Sequence, residues 1–269
     1  MTIEENSGNL RPSPEQFLAT HPVFTRDEFV RRLPGRAPAT ISSHLKRWQR
    51  QGRVRQVKRG LYVRLGPNDM VDYVTLAARM APDAALAYHT ALEVHGLAQS
   101  YFETLYFLTW TKTKPLRFGG RRFTPVRPPV GLEAHGRPSA WTEDVERRGV
   151  VLRVTTLERT LADVLARPEL SGGLEEAWRS CSAIQGLDLG ELESYVRAVA
   201  SRVLAAKVGL FLDRHREVLA VSNAQLERLR ALGPESTVYM ERGKPGKVVR
   251  EWNLVAPAQL LAGAWETAA

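Results

Sequence analysis

Between Glu28 and Asp69, forty consecutive residues hold eleven Lys and Arg and not one Asp or Glu. Such a segment has no internal acids to pair with. Any fold it adopts must turn the cations outward and hold itself together by apolar contacts. The apolar spacing supplies them. In APATISSHLKRWQRQG, Ile41, Leu45 and Trp48 recur at i, i+4, i+7 and form one buried helical stripe. Pro38 suits the first turn, and Gly52 suits the position just past the end. Thr40, Ser43, Lys46, Arg47 and Arg50 fall on the other faces. RVRQVKRGLYVRL then alternates around a turn. Val54 and Val57, then Leu61 and Val63, read as the apolar positions of two short strands, with Gly60 free to take positive φ.

Two more helices precede this segment. PEQFLAT starts with Pro14 in its first turn. In VFTRDEFVRRL, Thr25 and Glu28 make a capping box, Val23 or Phe24 packs over the cap, and Phe29, Val30 and Leu33 form the apolar face. Pro34-Gly35 breaks the helix. The order helix, helix, helix, hairpin predicts a winged helix-turn-helix over residues 12–66. In that arrangement the third helix enters the major groove and the hairpin wing lies on phosphates or in the minor groove. The candidate groove contacts are Thr40, Ser43, Lys46 and Arg47, with Arg50 on the same helix. Arg36, at the helix entry, is a candidate phosphate clamp aided by the helix N-terminal amides. Arg55, Lys58 and Arg59 are the candidate wing contacts. Trp48 reads as core rather than as a base-stacking ring, and Arg53 and Arg64 read as solvated.

Charge distribution agrees with a polyanionic partner. Of a net charge of +9, residues 1–66 carry thirteen bases against five acids, and residues 67–269 carry 25 against 24. A merely solvated face mixes signs, and an anionic membrane surface is the other partner such a strip attracts; duplex phosphate is favoured. No apolar run approaches twenty residues, so no membrane-spanning helix is expected. MTIEENSGNL is polar and lacks the apolar stretch of a signal peptide, so residues 1–11 are expected to be disordered. The single cysteine, Cys181, excludes an intramolecular disulfide framework and a multi-cysteine zinc site, and a reducing cytoplasm is the expected compartment.

After Gly66-Pro67 the texture changes, and a larger α+β domain is expected over 67–269. VDYVTLAARM and AALAYHTALEVHGL read as helices, YFETLYFLTW as a strand, LRFGGRRFTPV as a hairpin closed by Gly119-Gly120, RPPVGLEAHGRPSAW as a loop and VVLRV as a strand. TTLERTLADVL reads as a helix with a Thr155–Glu158 capping box, ended by Pro168. GGLEEAWRSCSAI, LGELESYVRAVA and AAKVGLFLDRH continue as helices. STVYM and VVREWNL read as strands joined by a hairpin turn at RGKPGK.

None of this carries a catalytic constellation. His89 and Glu93 lie one turn apart, but His95 falls on another face and no third ligand is near, so a packed helix is expected rather than a metal site. Glu158 reads as a cap acid. Asp163 with Arg159 reads as an ordinary i, i+4 pair on a helix face, worth a few tenths of a kcal/mol, roughly. Together with Glu169 these carboxylates form no catalytic pair. GKPGK lacks the spacing of a phosphate loop. Cys181, among Trp178, Ala183 and Ile184, suits a small buried hydrophobe. No enzymatic activity, cofactor or metal is expected.

Five blocks resemble, in order, the antitoxins of the abortive-infection E (AbiE-type, type IV) toxin–antitoxin systems: KRGLYV (58–63), LAYHTALEVHG (86–96), TLERTLADVL (156–165), GGLEEAW (172–178) and KVGLFL (207–212). The resemblance runs from about residue 12 to residue 255. It implies an N-terminal winged helix that binds inverted repeats ahead of its own operon and represses it. It implies a C-terminal domain that counteracts a nucleotidyltransferase-like toxin without a stable complex. A stand-alone winged-helix regulator, whose C-terminal domain senses a ligand or protein, is the competing expectation.

Overall fold

A computed structural model describes residues 13–66, 70–135 and 140–265. The segment expected to be disordered, 1–11, lies outside them. The chain divides into two compact units, residues 1–80 and 81–269, and is α+β throughout.

In the first unit, Ser13 and Gln16 form a capping box that starts α1 (Pro14–Thr20). β1 (Val23–Thr25) leads into α2 (Arg26–Arg32), where Thr25 and Glu28 make the expected box. α3 (Pro38–Arg50) follows, then β2 (Val54–Lys58) and β3 (Leu61–Arg64), which turn at Gly60 with φ of +80°. The strands form one antiparallel sheet in the order β1-β3-β2, with Val23 opposite Val63 and Val54 opposite Arg64. Phe17, Leu18, Phe24, Phe29, Leu33, Ile41, Leu45, Trp48, Val54 and Tyr62 make the core. The helical stripe is buried as its spacing predicts. Val30 is the exception: it is exposed, while Phe29 and Leu33 are buried.

Two features of this unit depart from expectation. Val23 and Phe24 do not merely cover a helix cap; they form the third strand of the sheet. β3 is therefore central, paired on both edges, and Leu61, Tyr62 and Val63 are all buried, so both of its faces are covered. The unit also continues past residue 66. α4 (Tyr73–Ala78), capped by Asp72, belongs to it. An Arg79–Glu28 ion pair of 3.1 Å and a hydrogen bond from Lys58 Nζ to the Met80 carbonyl tie this segment down.

The second unit is built on a mixed six-stranded sheet. Its strands are β4 (Ala85–Leu86), β5 (Thr104–Leu108), β6 (Leu116–Phe118), β7 (Arg121–Val126), β8 (Thr142–Arg147) and β9 (Val150–Thr155), in the order β6-β7-β5-β4-β9-β8. The β6–β7 hairpin turns at Gly119-Gly120 as expected. AALAYHTALEVHGL is not one helix. Ala85 and Leu86 join the sheet, and only His89–Val94 is helical (α5). Tyr88, between them, takes φ of 54° to make the change of direction. The segment read as a loop contains a short 3-10 helix, Val130–His135.

α6 (Leu157–Ala166) packs against α7 (Leu174–Ser182), α8 (Leu189–Val199) and α9 (Arg202–Arg214), so Glu158 through Leu165 are all buried. Its cap is Thr156 rather than Thr155. Thr156 Oγ1 accepts from the Arg159 amide at 3.4 Å, while Thr155 ends β9 and bonds Thr160. Glu158 does not close a box; it accepts from the Asp188 amide at 2.8 Å. The Arg159–Asp163 pair, expected on an exposed face, is buried, with side chains 2% and 3% exposed. The chain ends in α10 (Asn223–Ala231), β10 (Val238–Tyr239), β11 (Lys247–Val249), β12 (Leu254–Ala256) and α11 (Ala258–Leu261). The sheet order is β10-β12-β11, so RGKPGK is not a hairpin turn: β12 lies between the strands it connects.

Candidate nucleic-acid interface

α3 presents the residues that matter most. Its stripe of Ile41, Leu45 and Trp48 faces inward, which sets the outward direction of every other side chain on the helix. Ser43, Lys46, Arg47 and Arg50 are exposed and Thr40 is half-buried. Ser43 Oγ donates to the Ala39 carbonyl at 2.9 Å, so its hydroxyl is occupied locally until a better partner arrives. The N-cap of α3, Ala37, has no side-chain acceptor for the first amides. Arg36 is exposed immediately ahead of it, but Pro38 has no N–H and the Thr40 amide donates to the Ala37 carbonyl at 2.9 Å, so of the first-turn amides only that of Ala39 is left for an anion.

The predicted cations fall into two groups. The side chains of Arg36, Lys46, Arg50, Arg55 and Arg59 make no hydrogen bond or ion pair with any described residue, and all five are exposed. Arg55 lies on β2 and Arg59 in the turn, so the β2–β3 hairpin carries two free guanidinium groups. Lys58 is different. Its ammonium is held by the Met80 carbonyl, and burial pushes its pKa down. It tethers the β2–β3 hairpin to Met80 and is not a free cation. Arg47 is also engaged, in an ion pair of 3.3 Å with Glu15.

Sequence reasoning passed over Glu15 and His44 and read Arg53 and Arg64 as solvated. Glu15 Oε1 accepts from Trp48 Nε1 at 3.1 Å, and its Oε2 accepts from Arg53 Nη2 at 2.7 Å. Those hydrogen bonds, from Arg53 first and then Trp48, hold its carboxyl below the ordinary range. Arg53 is therefore paired rather than solvated. Arg64 Nη1 donates to the Leu18 carbonyl at 3.1 Å and also to that of Ala19, fixing β3 to the end of α1. Burial, then Arg47 and Arg36, depress the His44 pKa, keeping a neutral imidazole on α3. Arg31 and Arg32, in the last turn of α2, are exposed as well. The signal for this second set lay in Glu15: it is the lone acid of α1, ahead of a long run of bases.

Elsewhere the chain offers little competing chemistry. Among the described residues no group of three or more His, Cys, Asp or Glu is placed to hold a metal ion, and no helix is long and apolar enough to cross a membrane. His89, expected to pack, is buried against Phe102 with ring centroids 4.0 Å apart. Cys181 is fully buried, which pushes its thiol pKa far up.

No protein-family model and no curated protein matches the sequence. The class defined by the fold is α+β, in two units. The crystal structure of the RV2827C protein from Mycobacterium tuberculosis is similar to it, with a TM-score of 0.56 and 16% sequence identity over 90% of this chain and 88% of that one. At that identity the likeness is one of fold alone.

Proposed function

We propose that residues 13–80 form a winged helix-turn-helix that binds double-stranded DNA, α3 reading the major groove and the β2–β3 turn serving as the wing. The observation that carries this reading is the set of five exposed, unpaired cations on α3, its entry and the wing, raised on a core that leaves no freedom in which way α3 faces. Cations left without acids in a fold are the footprint of a phosphate backbone. Base selectivity belongs to Thr40, Ser43 and Lys46; Arg36, Arg50, Arg55 and Arg59 supply phosphate contacts.

The wider reading is an antitoxin of the abortive-infection E type. It binds inverted repeats in its own promoter, represses its operon from the cytoplasm, and counteracts a nucleotidyltransferase-like toxin through residues 81–269 without a stable complex. The five blocks of resemblance support it.

Binding to the DNA upstream of the gene, measured by fluorescence anisotropy over a range of salt, tests the first part. Each phosphate neutralised contributes about −0.9 to the slope of log affinity against log salt. Arg55→Ala with Arg59→Ala is expected to flatten that slope by about 1.8. Lys58→Ala is expected to leave it unchanged, because that ammonium is held by Met80. Equal affinity for the upstream and a scrambled duplex, or no effect of the double substitution, removes the reading. Co-expression with the neighbouring gene product tests the second part: growth is rescued if the chain is an antitoxin, and failure to rescue refutes it whatever the DNA result.

A further inference from the structure

Seven exposed cations surround α3 and the wing, and two of them are not free. Arg47 and Arg53 both lie on Glu15, at 3.3 and 2.7 Å. Glu15 is 49% exposed, and the two arginines are 52% and 44% exposed, so solvent and any ligand reach all three. The carboxylate itself is anchored. It stands in the first turn of α1, one residue beyond Pro14, and Oε1 accepts the indole N–H of Trp48, a side chain with no exposed surface. Arg47 Nη2 has one other contact, His44 Nδ1 at 3.4 Å, and the Arg53 guanidinium has none with a described residue besides Glu15.

We infer that Glu15 is an internal stand-in for a DNA phosphate, which occupies Arg47 and Arg53 in the free protein and sets the strength of duplex binding independently of sequence. This rests on the duplex-binding reading above. The chemistry is an exchange of like for like. A carboxylate and a phosphate each present two oxygens to a guanidinium in the same planar geometry. In the parent protein the carboxylate, held on Trp48, competes with the duplex for both arginines and repels the backbone, so they stay largely on Glu15; with that charge removed, each is free to reach a phosphate. Because neither contact involves a base edge, the effect falls equally on all sequences. Arg47 is thereby reassigned, from groove reading to the phosphate contacts.

Glu15→Gln tests this without disturbing the core, since the amide oxygen still accepts from Trp48. Two exposed ion pairs, each worth up to about 1 kcal/mol, predict affinity higher by about 2- to 30-fold for the upstream duplex and a scrambled duplex alike. The salt slope is expected to steepen by about 0.9 to 1.8, one or two phosphates. Arg53→Ala is expected to change the slope little in the parent protein. In the Glu15→Gln background it should take back about 0.9. A single cooperative thermal transition, its midpoint lowered by no more than the loss of two exposed ion pairs, confirms the fold. Unchanged or weaker binding by Glu15→Gln, with the parent protein binding normally, overturns the inference while leaving the duplex reading in place. An Arg53→Ala effect equal in the two backgrounds overturns it as well. Absence of binding by the parent protein to any duplex at low salt overturns both.

Discussion

Alanine at Asp163 would strand two donors in a place water does not reach. Arg159 Nε lies 3.2 Å from Asp163 Oδ2, and the Tyr195 hydroxyl donates to Oδ1. Both side chains of the ion pair are nearly inaccessible, and burial opposes the charge on the carboxyl while Arg159 and Tyr195 favour it. Arg159 keeps one other bond, from Nη1 to the Ala140 carbonyl at 2.9 Å; its Nη2 has no partner among the described residues. Removing Asp163 therefore leaves a buried guanidinium without a counter-charge. Breaking such a pair costs about 3–5 kcal/mol. For a chain of this size each kcal/mol lowers the melting temperature by roughly 2–4 °C, so a fall of about 6–20 °C is expected. Circular dichroism during heating reads it directly. The companion variant is Arg159→Met with Asp163→Leu. It removes both charges at similar volume, and it is expected to be more stable than Asp163→Ala alone. A loss below about 1 kcal/mol for Asp163→Ala, the size of a solvated pair, would show that the site is wet and refute the reasoning. A double variant less stable than the single one would do the same.

Two further predictions follow from packing and protonation. Gly209, inside α9, has the indole of Trp252 against it, so a methyl group there would overlap the ring; Gly209→Ala should cost about 1–3 kcal/mol by overpacking even though alanine is the better helix former, and a gain in urea midpoint would contradict this. Burial pushes the Asp83 carboxyl up, but donation from Thr109 Oγ1 at 2.6 Å, from the Trp110 amide at 2.7 Å and from Thr111 outweighs it, and the net pKa is lowered. The folded value lies below the unfolded one, so this stabilisation is present above the ordinary carboxylate range and lost as pH falls through the folded value; Asp83→Asn should flatten the acid side of a urea-midpoint profile, and an unchanged profile would refute the assignment.

What was legible in the sequence was what a single helix or turn decides by itself. Ile41, Leu45 and Trp48 announce which side of α3 is buried, and that fixes where Lys46 and Arg50 point. The Thr25–Glu28 box and the Gly119-Gly120 turn likewise depend on neighbours three or four residues apart. Illegible features depend on partners far along the chain. Val23–Thr25 is three residues long, and only β3, nearly forty residues later, makes it a strand. Ala85 and Leu86 sit in a run with helical texture, and pairing with β5 and β9 decides otherwise. The Arg159–Asp163 spacing is that of a surface pair; three packed helices make it an interior one. In the candidate interface the residues of α3 and the β2–β3 hairpin were singled out by their charge. Which of them were free was not, because Glu15 and Met80 lie 32 residues before Arg47 and 22 after Lys58.

Residues 13–66 hold twelve bases and three acids. Two of those acids, Glu15 and Glu28, hold Arg47, Arg53 and Arg79. The remaining bases far outnumber the one remaining acid, Asp27, and like-charge repulsion among them weakens the compact state. A polyanion bound to the folded unit and not to the open chain then acts on folding as well as on recognition. Under the duplex-binding reading proposed above, stability and occupancy would become one linked equilibrium, in which DNA would supply the counter-charge that the amino-acid sequence leaves out.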